Sequence, residues 1–147
     1  MADFVLRAAS PLPARACFDR LVDWDAHSAA IPLTRLQYEG SPRVGQRFVA
    51  RTGLGRLGFD DTMVVELLRR PAGDRPGDMP GVVHIAKQGR VIGGTVGWTV
   101  SPTPTATGSD VEWTQHLVIS WLPRWLDPLV GALGRMAYGI GLRRLLT

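Results

Sequence analysis

The sequence predicts an α+β fold in which a curved antiparallel sheet of about seven strands packs around a long C-terminal helix, with two short helices after the first strand. Three observations carry this reading. Strand-length runs follow one another from Thr34 to Ile119, separated by short turns rich in Gly and Pro. No stretch between them is long enough for a crossover, which argues against a parallel sheet. Beyond them, Leu126, Leu129, Val130, Leu133, Met136, Ala137 and Ile140 recur at three- and four-residue intervals, tracing one face of a helix that needs a sheet to lie on.

Phe4 to Ala9 is a short strand broken by Ser10-Pro-Leu-Pro13. Ala14 to Val22 then reads as a helix with Ala16, Cys17, Leu21 and Phe18 as the candidates for its inward face, and Pro13 suits its first turn, where a missing N–H costs nothing. A second helix is expected from Trp24 to Ala30, ended by Pro32, because the residue before proline is pushed out of helical geometry. The strands follow as Thr34–Glu39, Gln46–Thr52, Phe59–Arg69, Val82–Gln88, Thr95–Ser101 and Val111–Ile119. Their breaks are Gly40-Ser-Pro42, Gly53-Leu-Gly55, the Pro71 to Gly77 loop, Gly93-Gly94 and the Pro102 to Gly108 loop, all short enough for hairpins. For the last helix, Asp127 as N-cap with Pro128 in the first turn is the cleanest start. From Pro128 to Leu146 it would run about 28 Å at 1.5 Å per residue, with Arg143 and Arg144 complementing its dipole.

At 147 residues the chain fits one domain, 1–147. Met1-Ala-Asp-Phe4 passes straight into a strand-like run, so no secretion signal is expected. Cys17 has no second cysteine to pair with, which fits a reducing, cytoplasmic compartment and a thiol buried in the core. The net charge is +4, and of the 17 basic residues only Lys87 is lysine. The arginines are scattered without an aromatic-laced basic stripe, so no nucleic-acid partner is expected.

Several stretches carry a family likeness: Ala9-Ser-Pro11 with Ala14-Arg-Ala-Cys-Phe18, then Val44-Gly-Gln-Arg-Phe48, Val64-Val-Glu-Leu67 ahead of Pro71, and Val111-Glu-Trp113. In these and in its order of elements the chain resembles the START-like (SRPBCC) superfamily of helix-grip proteins. That superfamily includes polyketide cyclases/dehydrases, lipid-transfer domains and the Bet v 1-like pathogenesis-related proteins. The resemblance implies a ligand cavity between sheet and last helix. It does not imply catalysis.

Candidate site residues come from strand alternation. On the last strand Val111, Trp113, Gln115, Leu117 and Ile119 share the more apolar face, which puts Gln115 inside as a polar anchor. Phe59, Asp61, Met63, Val65 and Leu67 share a face, placing Asp61 near the cavity mouth as a candidate general base or a partner for an arginine. Trp98 falls inward with Val96 and Val100, so Trp98 and Trp113 supply either flat ligand walls or plain core. Leu133 and Met136 are expected to add apolar wall from the last helix. His84 is a second catalytic candidate only if it faces inward, which alternation leaves open. His27, His84 and His116 lie far apart with no companion motif, so neither metal nor cofactor is expected.

The expected partner is therefore a small hydrophobic ligand, a lipid or a polyketide-like aromatic. A cyclase or dehydratase using a pocket carboxylate is the alternative, and a ligand-free interaction module the third reading. Gly131, Gly134, Gly139 and Gly141 each cost the last helix roughly 1 kcal/mol, for which close approach to the sheet could compensate, but mobility that admits a ligand is the expected reason. Asp127 and Arg135 interrupt the apolar run too often for a membrane span, though Trp121 and Trp125 leave room for transient membrane contact. Nothing in the sequence sets an oligomeric state.

Overall fold

The computed structural model describes residues 2–54, 56–105 and 107–147. Gly55 of the expected Gly53-Leu-Gly55 turn and Ala106 of the Pro102 to Gly108 loop lie outside the described residues, as does Met1. The elements run β1 (Ala2–Ser10), α1 (Ala14–Leu21), α2 (Trp24–Ala30), β2 (Thr34–Tyr38), β3 (Arg47–Leu54), β4 (Leu57–Arg69), β5 (Gly81–Gln88), β6 (Ile92–Pro102), β7 (Ser109–Ile119), a 3-10 turn (Arg124–Leu126) and α3 (Asp127–Leu146). The seven strands form one antiparallel sheet in the order β1-β7-β6-β5-β4-β3-β2. Sequential hairpins account for every neighbour except β1–β7, where the first strand joins the last.

Local chemistry explains the element ends. The Asp23 carboxylate accepts from the backbone N–H groups of Asp25 and Ala26, each at 3.1 Å, and so caps α2. Ile31 leaves helical geometry just before Pro32. Pro13 occupies the N-cap of α1, one position earlier than expected. Gly93-Gly94, expected as a break, lies inside β6, opposite Val118 and Leu117. Gly94 has φ +114°, and a Cβ there would meet the His116 carbonyl oxygen at 1.9 Å. The pair is a distortion within a strand, not a turn.

Alternation holds along β7, where Val111, Trp113, Gln115 and Leu117 are buried. It fails at one place on β4. Asp61, Met63 and Val65 point inward, but the pairing with β5 slips between Val65 and Leu67. This bulge turns Leu67 outward, contrary to expectation, and brings Leu68 onto the core.

The larger correction concerns α3. Leu129, Leu133 and Met136 were expected to face the sheet, and all three are exposed. The inward stripe is instead Gly134, Tyr138, Gly141, Leu142 and Leu145. A Cβ on Gly134 would stand 2.9 Å from the Phe4 ring, and one on Gly141 would stand 3.0 Å from Ile31. Gly134 and Gly141 mark the buried side because they let the helix backbone come close, which compensates their cost to the helix, whereas Gly139 meets nothing within 4 Å. The C-terminal end is fastened most firmly. Ser10 Oγ donates to the Leu146 carbonyl (3.0 Å), Arg20 Nε to that of Leu145 (3.3 Å), and Arg144 to Ala30 on α2 (3.4 Å).

Candidate ligand-binding cavity

Between the concave face of the sheet, α2 and α3 lies a cavity of about 230 Å³. Its walls are aromatic. Trp98 and Trp113 sit opposite each other on β6 and β7, their rings stacked 4.8 Å apart and within 8° of parallel. A cross-strand pair on a pleated sheet holds two rings in this way without further help. Trp24 and Phe48 make a second stack at 4.8 Å, and Tyr138 of α3 lies 5.9 Å from Trp113. Trp24 and His27, three residues apart on α2, present one helix face to this cluster. The Trp24 indole N–H donates to Gln46 Oε1 (2.9 Å), whose own amide donates to the Glu39 carbonyl (2.9 Å).

The polar groups are few and buried. Lys87 Nζ donates to Asp61 Oδ2 in an ion pair whose side chains are 2% and 6% exposed. Register explains the meeting: Lys87 pairs with Met63, two residues along β4 from Asp61 on the same face. Burial pushes the Asp61 carboxyl above its ordinary value, and the Lys87 charge and hydrogen bond pull it back only in part. On Lys87 burial works downward, but Tyr138 and Asp61 outweigh it and hold the ammonium above its ordinary value. His27, fully buried, is held below 6.5 by desolvation and is neutral at physiological pH. Its Nε2–H donates to the Leu21 carbonyl at 2.6 Å.

Three side-chain atoms on this cavity have no partner among the described residues: Asp61 Oδ1, Trp98 Nε1 and Gln115 Nε2. The other end of the Gln115 amide is engaged, Oε1 accepting from the Trp113 indole at 3.2 Å. A dry, unpaired buried group costs about 1–3 kcal/mol, so the cavity offers two donors and one acceptor to whatever fills it.

Asp61, Met63, Trp98, Trp113 and Gln115 therefore meet on one cavity, as placed by alternation. Leu133 and Met136 do not, since the stripe of α3 that faces inward brings Ala137 and Tyr138 to the wall instead. His84 points to solvent: on β5, Val83, Ile85 and Lys87 face in while His84 and Gln88 face out. A catalytic role inside the cavity is thereby closed to His84. Lys87, His27, Trp24 and Tyr138 were missed. Lys87 was legible twice, as the lone lysine of an arginine-rich chain and as the next step inward after Val83 and Ile85.

This architecture is the helix-grip fold. No family model matches the chain, and no curated protein sequence matches it. Solved structures do. The di-domain ARO/CYC StfQ from the steffimycin biosynthetic pathway superposes with TM-score 0.72 at 16% identity, over 99% of this chain and 49% of StfQ. The chain thus spans about half the length of that protein. The Zhui aromatase/cyclase from a Streptomyces species gives TM-score 0.74 at 12% identity, over 98% of this chain and 90% of that one. Ara h 8.0201 gives 0.60 at 13%, over 98% and 97%. At these identities the likeness establishes the fold, which is the fold the START-like resemblance implies.

Proposed function

We propose that the chain binds a compact, uncharged, flat hydrophobic molecule bearing oxygen substituents, an oxygenated aromatic, between sheet and C-terminal helix. The observation that carries this is an aromatic-walled cavity whose ion pair is internally neutralised and on which Asp61 Oδ1, Trp98 Nε1 and Gln115 Nε2 have no partner among the described residues. A ligand carbonyl satisfies Gln115 or Trp98, and a ligand hydroxyl donates to Asp61 Oδ1. At about 230 Å³ the space lies below the usual range for drug-sized ligands, which favours a small ring system over a two-chain lipid. A filled core would have favoured the interaction module. The aromatase/cyclases among the structures of like fold support the same ligand class.

The test is native mass spectrometry of the purified chain, followed by extraction and identification of bound material. A co-purifying oxygenated aromatic is the expected result, and a bound diacyl lipid overturns the size argument. In parallel, Trp113→Ala should weaken uptake of a neutral naphthylamine fluorophore roughly tenfold, about 1.4 kcal/mol, for the loss of one aromatic wall. Undiminished uptake by the folded variant removes Trp113 from the site.

The second reading is a cyclase or dehydratase. It is favoured by Asp61 alone: a carboxylate in an apolar cavity, with a free oxygen to take a proton and an ammonium alongside to stabilise developing negative charge. Asp61→Asn should then retain ligand binding and abolish turnover of a poly-ketone substrate. Turnover surviving the change would remove Asp61 as a catalyst.

A further inference from the structure

One face of α3 carries bulky apolar side chains that point away from the core. Leu129, Leu133 and Met136 recur at four- and three-residue spacing and are 55%, 52% and 60% exposed. Trp121 and Trp125, immediately upstream, are 70% and 77% exposed. Single exposed leucines need no explanation. Five large apolar side chains in one segment, on and just before a helix that turns Gly134 and Gly141 inward, do. The charge of the segment is one-sided as well. Residues 121–147 carry Arg124, Arg135, Arg143 and Arg144 against Asp127 alone, and all four arginines are exposed.

We propose that this face docks on an anionic lipid surface. The two tryptophans suit the headgroup boundary, having an apolar body and an N–H for the wet side. Leu129, Leu133 and Met136 enter the acyl edge, and the arginines reach phosphates while their stems cover apolar surface. Charge selects this occupant over a second copy of the chain. Two copies joined face to face about a two-fold axis would oppose the same arginine-rich segment to itself, whereas an anionic leaflet complements it. The helix lies on the surface: no helix among the described residues is long and apolar enough to cross a membrane. Ala137 and Tyr138 on its other side wall the cavity, so only the thickness of α3 separates the ligand space from the lipid.

The test is co-sedimentation of the full chain with phosphatidylcholine vesicles containing about a third phosphatidylglycerol, against pure phosphatidylcholine, at low and high salt. Binding should be at least tenfold tighter to the anionic vesicles and should weaken with salt. Vesicles should also blue-shift the tryptophan emission. Leu133→Glu and Trp125→Ser should each lower partitioning about tenfold while leaving fold and fluorophore uptake in solution unchanged, because both side chains lie outside the cavity. If Leu133→Glu fails to fold, Trp125→Ser decides. Absence of binding to anionic vesicles overturns the proposal, as does undiminished binding by the folded variants. A dimer in analytical ultracentrifugation that either variant dissociates also overturns it, assigning the face to a second copy.

Discussion

At the scale of single residues, the Asp61–Lys87 pair is the most consequential feature of the cavity. Two buried charges rarely stabilise a fold relative to apolar residues of the same shape, but breaking such a pair leaves one charge stranded. Lys87→Met should therefore cost about 3–5 kcal/mol in chemical denaturation. Adding Asp61→Leu to it should recover stability to within about 1 kcal/mol of the parent, while abolishing discrimination between hydroxylated and plain aromatic ligands. A double variant as unstable as the single one would mean that the pair itself supports the fold. Gln115 poses a smaller version of the same trade. Gln115→Leu removes the unpaired Nε2 but also the Oε1 that accepts from the Trp113 indole, so the two effects should offset to within about 1 kcal/mol in the apo protein, at the expense of carbonyl-bearing ligands. Asp61 and Gln115 were legible by counting along strands, since the pleat leaves no freedom about which face a residue takes. Lys87 was passed over because its chemistry argues against burial until a carboxylate is known to be beside it.

At the scale of elements, hydrophobic periodicity located α3 and misjudged its orientation. The rule that bulky apolar residues mark the buried stripe assumes that side chains fill the gap to the sheet. Here the gap at Phe4 and Ile31 is too narrow for side chains, and glycine marks the stripe. This distinction predicts opposite signs for two alike substitutions. Gly139 has nothing within 4 Å of where a Cβ would stand, so Gly139→Ala should raise stability by about 0.5–1 kcal/mol through helix propensity. Gly134→Ala gains the same propensity but drives a methyl into the buried Phe4 ring, and should destabilise by about 1 kcal/mol net. Thermal melts of the two variants decide it; a gain at both positions would mean that α3 stands off the sheet. The β4 bulge was hidden for a related reason. Nothing in Val64-Val-Glu-Leu67 announces a lost register, because a bulge is set by how two strands meet and not by either alone.

At the scale of the whole molecule, the order of elements and the antiparallel topology were legible, because short turns permit little else. The closure of the sheet onto α2, and hence the place of Trp24 and His27 on the cavity, depends on contacts distant in sequence and was not. His27 gives the molecule a pH dependence of definite sign. Its folded pKa is depressed, so the unfolded chain takes up a proton near 6.5 before the folded one does. The stability it confers is complete above 6.5 and is lost as pH falls below it. Asp61 works the other way, since its raised carboxyl favours the folded state on acidification. Denaturant midpoints should therefore fall with pH below 6.5, and His27→Gln should flatten that fall. An unchanged slope would place the acid sensitivity elsewhere. The solitary lysine has a last consequence. With Lys87 sealed inside, the only other amine in the chain is the one at its N-terminus. Acylation of the lysine by an amine-reactive ester becomes a clock for how often the cavity opens, and bound ligand should slow that clock.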